Sequence, residues 1–115
     1  MGITQTQAEY MASSGLITHL GLDDSNPYQR ALAAGYPLAG DISLGGYYSE
    51  DVAAATNMTA QDAVTHWMGD APHQNTMLSS IYQDAGVGLA VSGGIVFYAL
   101  DAGLSTERTP APSTP

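Results

Sequence analysis

The hydrophobic period changes once along this chain, and that change limits the folds open to it. Before residue 80 the apolar residues recur mainly at helical spacing. Ala85-Gly86-Val87-Gly88-Leu89-Ala90-Val91 and Ile95–Leu100 read instead as strands, and Ser92-Gly93-Gly94 between them is a hairpin turn signal. Helices followed by a hairpin in 115 residues describe one α/β domain with a modest core. Glycines 86 and 88 point to a bulge or to close packing of another backbone.

Residues 5–16 read as a helix with Ala8, Met11, Ala12 and Leu16 on one face, weakened at Gly15. Asn26-Pro27 pairs an N-cap with proline at the first helical position, and this helix runs to about Ala34, ended by Gly35. Residues 37–50, rich in glycine and tyrosine, read as loop plus a short strand around Ile42–Leu44, and residues 51–56 as a turn of helix. Thr59-Ala60-Gln61-Asp62 resembles a capping box. Its helix turns Ala63, Val64 and Trp67 inward and ends near Gly69–Pro72, with a further short helix over about 74–80. The domain is expected over 1–104, and residues 105–115, with Pro110, Pro112 and Pro115, as a linker or disordered tail. There is no internal repeat.

The chain is 44% hydrophobic and only 11% charged, too apolar for intrinsic disorder. No apolar run approaches the length of a membrane span. The net charge is −9, and Arg30 and Arg108 are the only basic residues besides histidine. Nucleic acid, which needs clustered Lys/Arg, is excluded as a partner, and an anionic membrane surface would repel the chain. A cation or a neutral ligand fits better. With no cysteine, one marker of compartment is missing. Met1-Gly2-Ile3-Thr4 has neither the basic nor the apolar region of a signal peptide, so the protein is cytoplasmic or its export signal lies outside this chain.

Two histidines with acids nearby are the candidate site: His19 in Thr18-His19, and His73 in Asp70-Ala71-Pro72-His73, with Asp41 following Gly40 between them. Imidazoles and carboxylates from distant segments suit a metal or acid–base work. Each also has a plain structural reading. His19 could cap a helix end, and His73 the helix that follows Pro72. Asp41 could close a turn with Gly40. Asp70 could pair with His66, four residues earlier. His66, flanked by Asp62 and Asp70, reads as part of a solvated stripe, and Trp67 as core. Asp23-Asp24 lacks calcium-loop spacing, Gly86-x-Gly88 opens no helix and so no nucleotide site, and the sequon Asn57-Met58-Thr59 overlaps a helix N-cap.

In order, Thr18-His19, Gly35-Tyr36, Gly40-Asp41-Ile42, Trp67-Met68…His73-Gln74-Asn75-Thr76-Met77-Leu78 and Ala85-Gly86-Val87-Gly88 resemble the CAP superfamily of SCP-like domains, most closely its bacterial branch. That pattern runs Ser/Thr-His, Gly-Tyr, Gly-Glu-Asn-Ile, Trp-Met-x-Ser-x-x-His-Arg-x-Asn-Ile-Leu, Val-Gly-Val-Gly. The resemblance covers roughly residues 5–103.

It implies an α-β-α sandwich around a small, mostly antiparallel sheet, with a cleft of two histidines and two acids. By position these are His19, Asp41, Asp70 and His73. Asp41 departs from the family glutamate, and Asp70 matches eukaryotic members better than bacterial ones. The family's first helix is expected to be missing, leaving a sheet face for a partner or a second copy. The implied role is an extracellular or cell-envelope binding module, with His19 and His73 holding zinc weakly. Tyr36, Tyr47 and Tyr48 would line a groove for a small-molecule, lipid or protein ligand. The alternative is a metal-assisted, peptidase-like hydrolase; no catalytic residue is assigned, since no cysteine or Gly-x-Ser-x-Gly serine supplies a nucleophile.

Overall fold

The computed structural model describes residues 2–107. Helix α1 (Gly2–Ser14) opens the chain, followed by α2 (Pro27–Ala33) and a 3₁₀ turn (Ile42–Leu44). Strand β1 (Tyr48–Thr56), helices α3 (Ala60–Trp67) and α4 (Ala71–Leu78), and strands β2 (Asp84–Ser92) and β3 (Ile95–Gly103) complete it. The sheet is antiparallel throughout in the order β1-β3-β2, with the hairpin partner β3 at its centre.

Alternation along the strands builds three layers. Val52, Phe97 and Ala99 turn to one face and pack with Met11 of α1. Ala53, with half-buried Tyr98 and Leu100, turns to the other and packs against Ala63 and Trp67. Trp67 also donates its indole N–H to Val52 O at 3.1 Å, so the ring is satisfied as well as buried. The expected α-β-α sandwich is what forms.

Four local expectations fail, two of them in burial: Val64 of α3 is exposed instead of turned inward, and Leu16 is exposed beyond the end of α1. Residues 51–56 are strand, not helix: Val52 and Ala53 are buried on opposite faces, so the Ala53-Ala54-Ala55 run shows no polar alternation. Pairing with β3 along all nine residues overrides alanine's helical preference. Residues 42–44 are a 3₁₀ turn, not a strand. Asp41 caps it by accepting from Ser43 N, and Gly45 closes it at φ +94°.

The strand glycines act by close approach. A Cβ on Gly88 would lie 2.4 Å from Thr4 O and 2.7 Å from Gln5 Cα, so α1 rests on β2 backbone to backbone. Gly88→Ala should therefore cost about 2 kcal/mol, because a helix and not a side chain must move. Gly2→Ala, which meets nothing within 4 Å, is the control. Equal urea midpoints for the two variants would refute the contact. Beside it, Gln5 reaches over the edge of β2: its Nε2 donates to Leu89 O at 2.8 Å, and its Oε1 accepts from Leu89 N at 2.9 Å.

On the face opposite α1, the β2 residues Val87, Leu89 and Val91 are exposed. At the end of the domain Ser105 bridges Leu38, and Thr106 N donates to Pro37 O, so the packed chain extends to Thr106. Of the tail expected over 105–115, Ser105 and Thr106 are thus packed against the domain, and residues 108–115 lie outside the described residues.

Candidate functional site

His19 sits in the loop between α1 and α2, and that loop is pinned from two sides. Gln7, buried on α1, donates its amide to Thr18 O and Leu20 O at 2.9 and 3.1 Å. Arg30 on α2 donates through Nη1 to His19 O at 2.8 Å and Ser25 O at 2.7 Å. Three consecutive carbonyls are thereby fixed, and the imidazole stays about half exposed.

Its partner is Glu50 of β1. His19 Nδ1 lies 3.0 Å from Glu50 Oε1, and Arg30 Nη2 lies 3.0 Å from Oε2. The Glu50 side chain has no solvent exposure. Burial raises its pKa, while hydrogen bonding to Asp101 and the Arg30 charge oppose the rise. Burial lowers the His19 pKa, favouring the neutral ring. With Nδ1 held at Glu50, Nε2 is the nitrogen left for a ligand. The cavity beside it, about 330 Å³, is lined by His19, Tyr28, Leu44, Tyr48, Ser49 and Glu50 among others.

A cross-strand carboxyl pair lies behind Glu50. Asp101 of β3 is paired with it in register, and Asp101 Oδ2 accepts from Thr4 Oγ1 at 3.1 Å and Tyr48 Oη at 2.8 Å. Burial, then the hydrogen bond and charge of Glu50, push the Asp101 pKa up to about 8.

The other expected histidine is on the α3/α4 side of the sheet. Asp70 caps α4 by accepting from His73 N, and its Oδ1 lies 2.7 Å from His73 Nδ1. The His73 hydrogen bond holds the Asp70 carboxyl below the ordinary range. The His66 ring is tilted against His73 at 6.0 Å, so His66 joins this cluster instead of pairing with Asp70.

Asp51, next to Glu50 but pointing to the opposite face, is almost wholly buried and feels both His73 and His19 electrostatically. Burial raises its pKa to about 6. Ser49 Oγ and Thr76 Oγ1 are hydrogen-bonded beside it at 2.5 Å, and among the described residues Asp51 Oδ2 has no hydrogen-bond partner.

The structure thus pairs His19 with Glu50 and His73 with Asp70. Asp41 is elsewhere: its exposed carboxylate accepts from Ser43 N at 3.0 Å and Ser43 Oγ at 2.6 Å. Of the three tyrosines, Tyr48 lines the His19 cavity, and Tyr36 packs edge-on to it at 6.0 Å while donating to Asp84 at 2.9 Å. Tyr47 is exposed.

Sequence reading missed Glu50, Asp51, Asp101, Arg30 and Gln7 as site residues. A signal for the first existed. Ser49-Glu50-Asp51-Val52 matches small-Glu-x-aliphatic as well as Gly40-Asp41-Ile42 does, and it keeps the glutamate.

A three-layer α-β-α domain with His19–Glu50 and His73–Asp70 pairs has the architecture expected of an SCP-like domain. The chain belongs to the cysteine-rich secretory protein family, CAP, whose family model matches residues 2–100. No curated protein and no solved structure matches it. Among the described residues no helix is long and apolar enough to cross a membrane.

Proposed function

We propose that this CAP domain is an extracellular binding module whose His19–Glu50 cleft takes a small polar ligand, and that a divalent cation binds weakly at His19 and His73. One observation carries the reading. Among the described residues Asp51 Oδ2 is a buried carboxylate oxygen without a hydrogen-bond partner, in the electrostatic reach of both imidazoles. Such an oxygen is costly unless a cation or donor satisfies it. Neutral imidazole nitrogens suit zinc. Among the described residues no three His, Cys, Asp or Glu side chains converge into a cage, so water must complete the coordination, which makes binding weak.

Melting the protein with and without zinc tests this. At about 100 times its dissociation constant, zinc should stabilise the wild type by about 2.7 kcal/mol. His19→Ala and His73→Ala should each remove that gain. A zinc response unchanged in His73→Ala would reject the site.

The alternative is a hydrolase. It is favoured by the carboxylate-held imidazole, an arrangement that serves a general base acting through Nε2. Turnover of a peptide or ester library that vanished in His19→Ala would move the assignment there.

A further inference from the structure

We propose that Asp101 is a neutral carboxylic acid in the working protein, and that by donating its proton to Glu50 it is the positioning residue that holds Glu50 against His19. Glu50 Oε1 takes His19 Nδ1, and Oε2 takes Arg30 Nη2. The Arg30 guanidinium on this buried carboxyl favours its anion, to which the Nδ1–H tautomer of His19 then donates. Asp101 Oδ2 is filled in the same way by the hydroxyls of Thr4 and Tyr48.

That leaves Asp101 Oδ1. Among the described residues it is buried and takes no donor, and Asp101 is the register partner of Glu50, so the two carboxyl side chains lie next to each other on one face of the strand pair. Two carboxylate oxygens cannot bond to each other; a proton between them resolves both the orphaned oxygen and the repulsion. Placing that proton on Oδ1 satisfies both carboxyls: Glu50 accepts, Asp101 donates. The reverse placement would make Glu50 a donor on a group that already faces Arg30.

The groups facing this pair come from several elements. Thr4 comes from α1, Tyr48 from β1, Arg30 from α2 and His19 from the loop before it. On the β2 side the register partner of Asp101 is Gly86, which carries no titratable group. Among the described residues Arg30 is therefore the only cation at the pair besides a protonated His19, and it is engaged by Glu50. Among the described residues nothing else neutralises a second carboxylate.

The linkage follows from the direction of the shift. The folded chain keeps the Asp101 proton up to about pH 8, whereas the ordinary value, taken for the unfolded chain, is 3.8. The resulting stability is complete below the unfolded value and is lost as pH rises through the folded one. Asp51 adds to the same trend over its narrower window, ending at about 6. His19, shifted downward, opposes it: its contribution is present above its ordinary 6.5 and is lost as pH falls through its folded value.

The experiment uses the whole chain in the presence of a chelator, so it does not depend on whether the cleft binds zinc. The carboxyl carbon of Asp101, followed by NMR in aspartate-labelled protein, should keep its protonated shift through neutral pH and change near pH 8. Asp101→Asn should retain the pattern, because an amide N–H replaces the acid O–H toward Glu50 and its carbonyl still accepts from Thr4 and Tyr48. In this variant the Nδ1 resonance of His19 should match wild type, and the fall in melting temperature from about pH 5 to about pH 8 should shrink. Asp101→Ala should displace the His19 resonance.

An Asp101 carboxyl titrating in the ordinary range overturns the proposal. So does an equal displacement of His19 in the Asn and Ala variants. If the Ala variant does not fold, the wild-type carboxyl titration decides by itself.

Discussion

Trp67→Ala should lower unfolding stability by about 3–5 kcal/mol, a large share of what holds a small domain together. Trp67 is 4% exposed, packs with Ala53 and Ala63, and has Met58, Met77, Tyr98 and Leu100 around it. Truncation empties the space between α3 and the sheet and also leaves Val52 O without its indole donor. Small neighbours such as Ala53 and Ala63 cannot swing in to refill it. Chemical denaturation followed by circular dichroism measures the loss. A deficit below about 1 kcal/mol would show that this side of the sheet contributes little to the core.

Arg30→Ala should cost a similar amount, about 3–5 kcal/mol, for a different reason: it strands the buried Glu50 anion. The substitution also removes the donors that hold His19 O and Ser25 O, so the His19 loop loosens with it. Glu50, already shifted upward by burial, then shifts further because an opposing charge is gone. A group shifted in that direction contributes stability in acid and loses it as pH rises, so the deficit should shrink from about pH 8 to about pH 5. Denaturation of both proteins at the two pH values tests this. An Arg30→Ala variant as stable as wild type at about pH 8 would mean that the guanidinium does not compensate Glu50.

Elements specified by their own residues were legible in the sequence; those created by partners were not. The hairpin, the Thr59 cap and the core role of Trp67 all carried local signals and form as expected, and of the two readings of the strand glycines, a bulge or close packing, Gly88 shows the close packing. Strand β1 had none, because burial on both faces erased its alternation and three alanines imitated a helix. The site suffered for the same reason. Asp41 followed a glycine and so drew the glutamate's place in the family pattern, but its carboxylate is used locally by Ser43. Glu50 becomes recognisable only once β1 is a strand, since its partners lie 20 and 31 residues away in sequence. Asp101 and Thr4, 97 residues apart, are joined by the sheet alone.

Gln5 bears on what can add to the open edge of the sheet. An open strand edge invites another chain to add to the sheet, and β2, with Val87, Leu89 and Val91 exposed beside it, has the composition of an aggregation seed. The primary amide of Gln5 has the same donor and acceptor as a peptide group, and it occupies both backbone positions of Leu89. At the midpoint of its most apolar stretch the edge therefore meets a decoy peptide bond before it can meet a real one. One side chain on a helix does the guarding that charged residues do elsewhere, in a chain with no lysine to spare for the task.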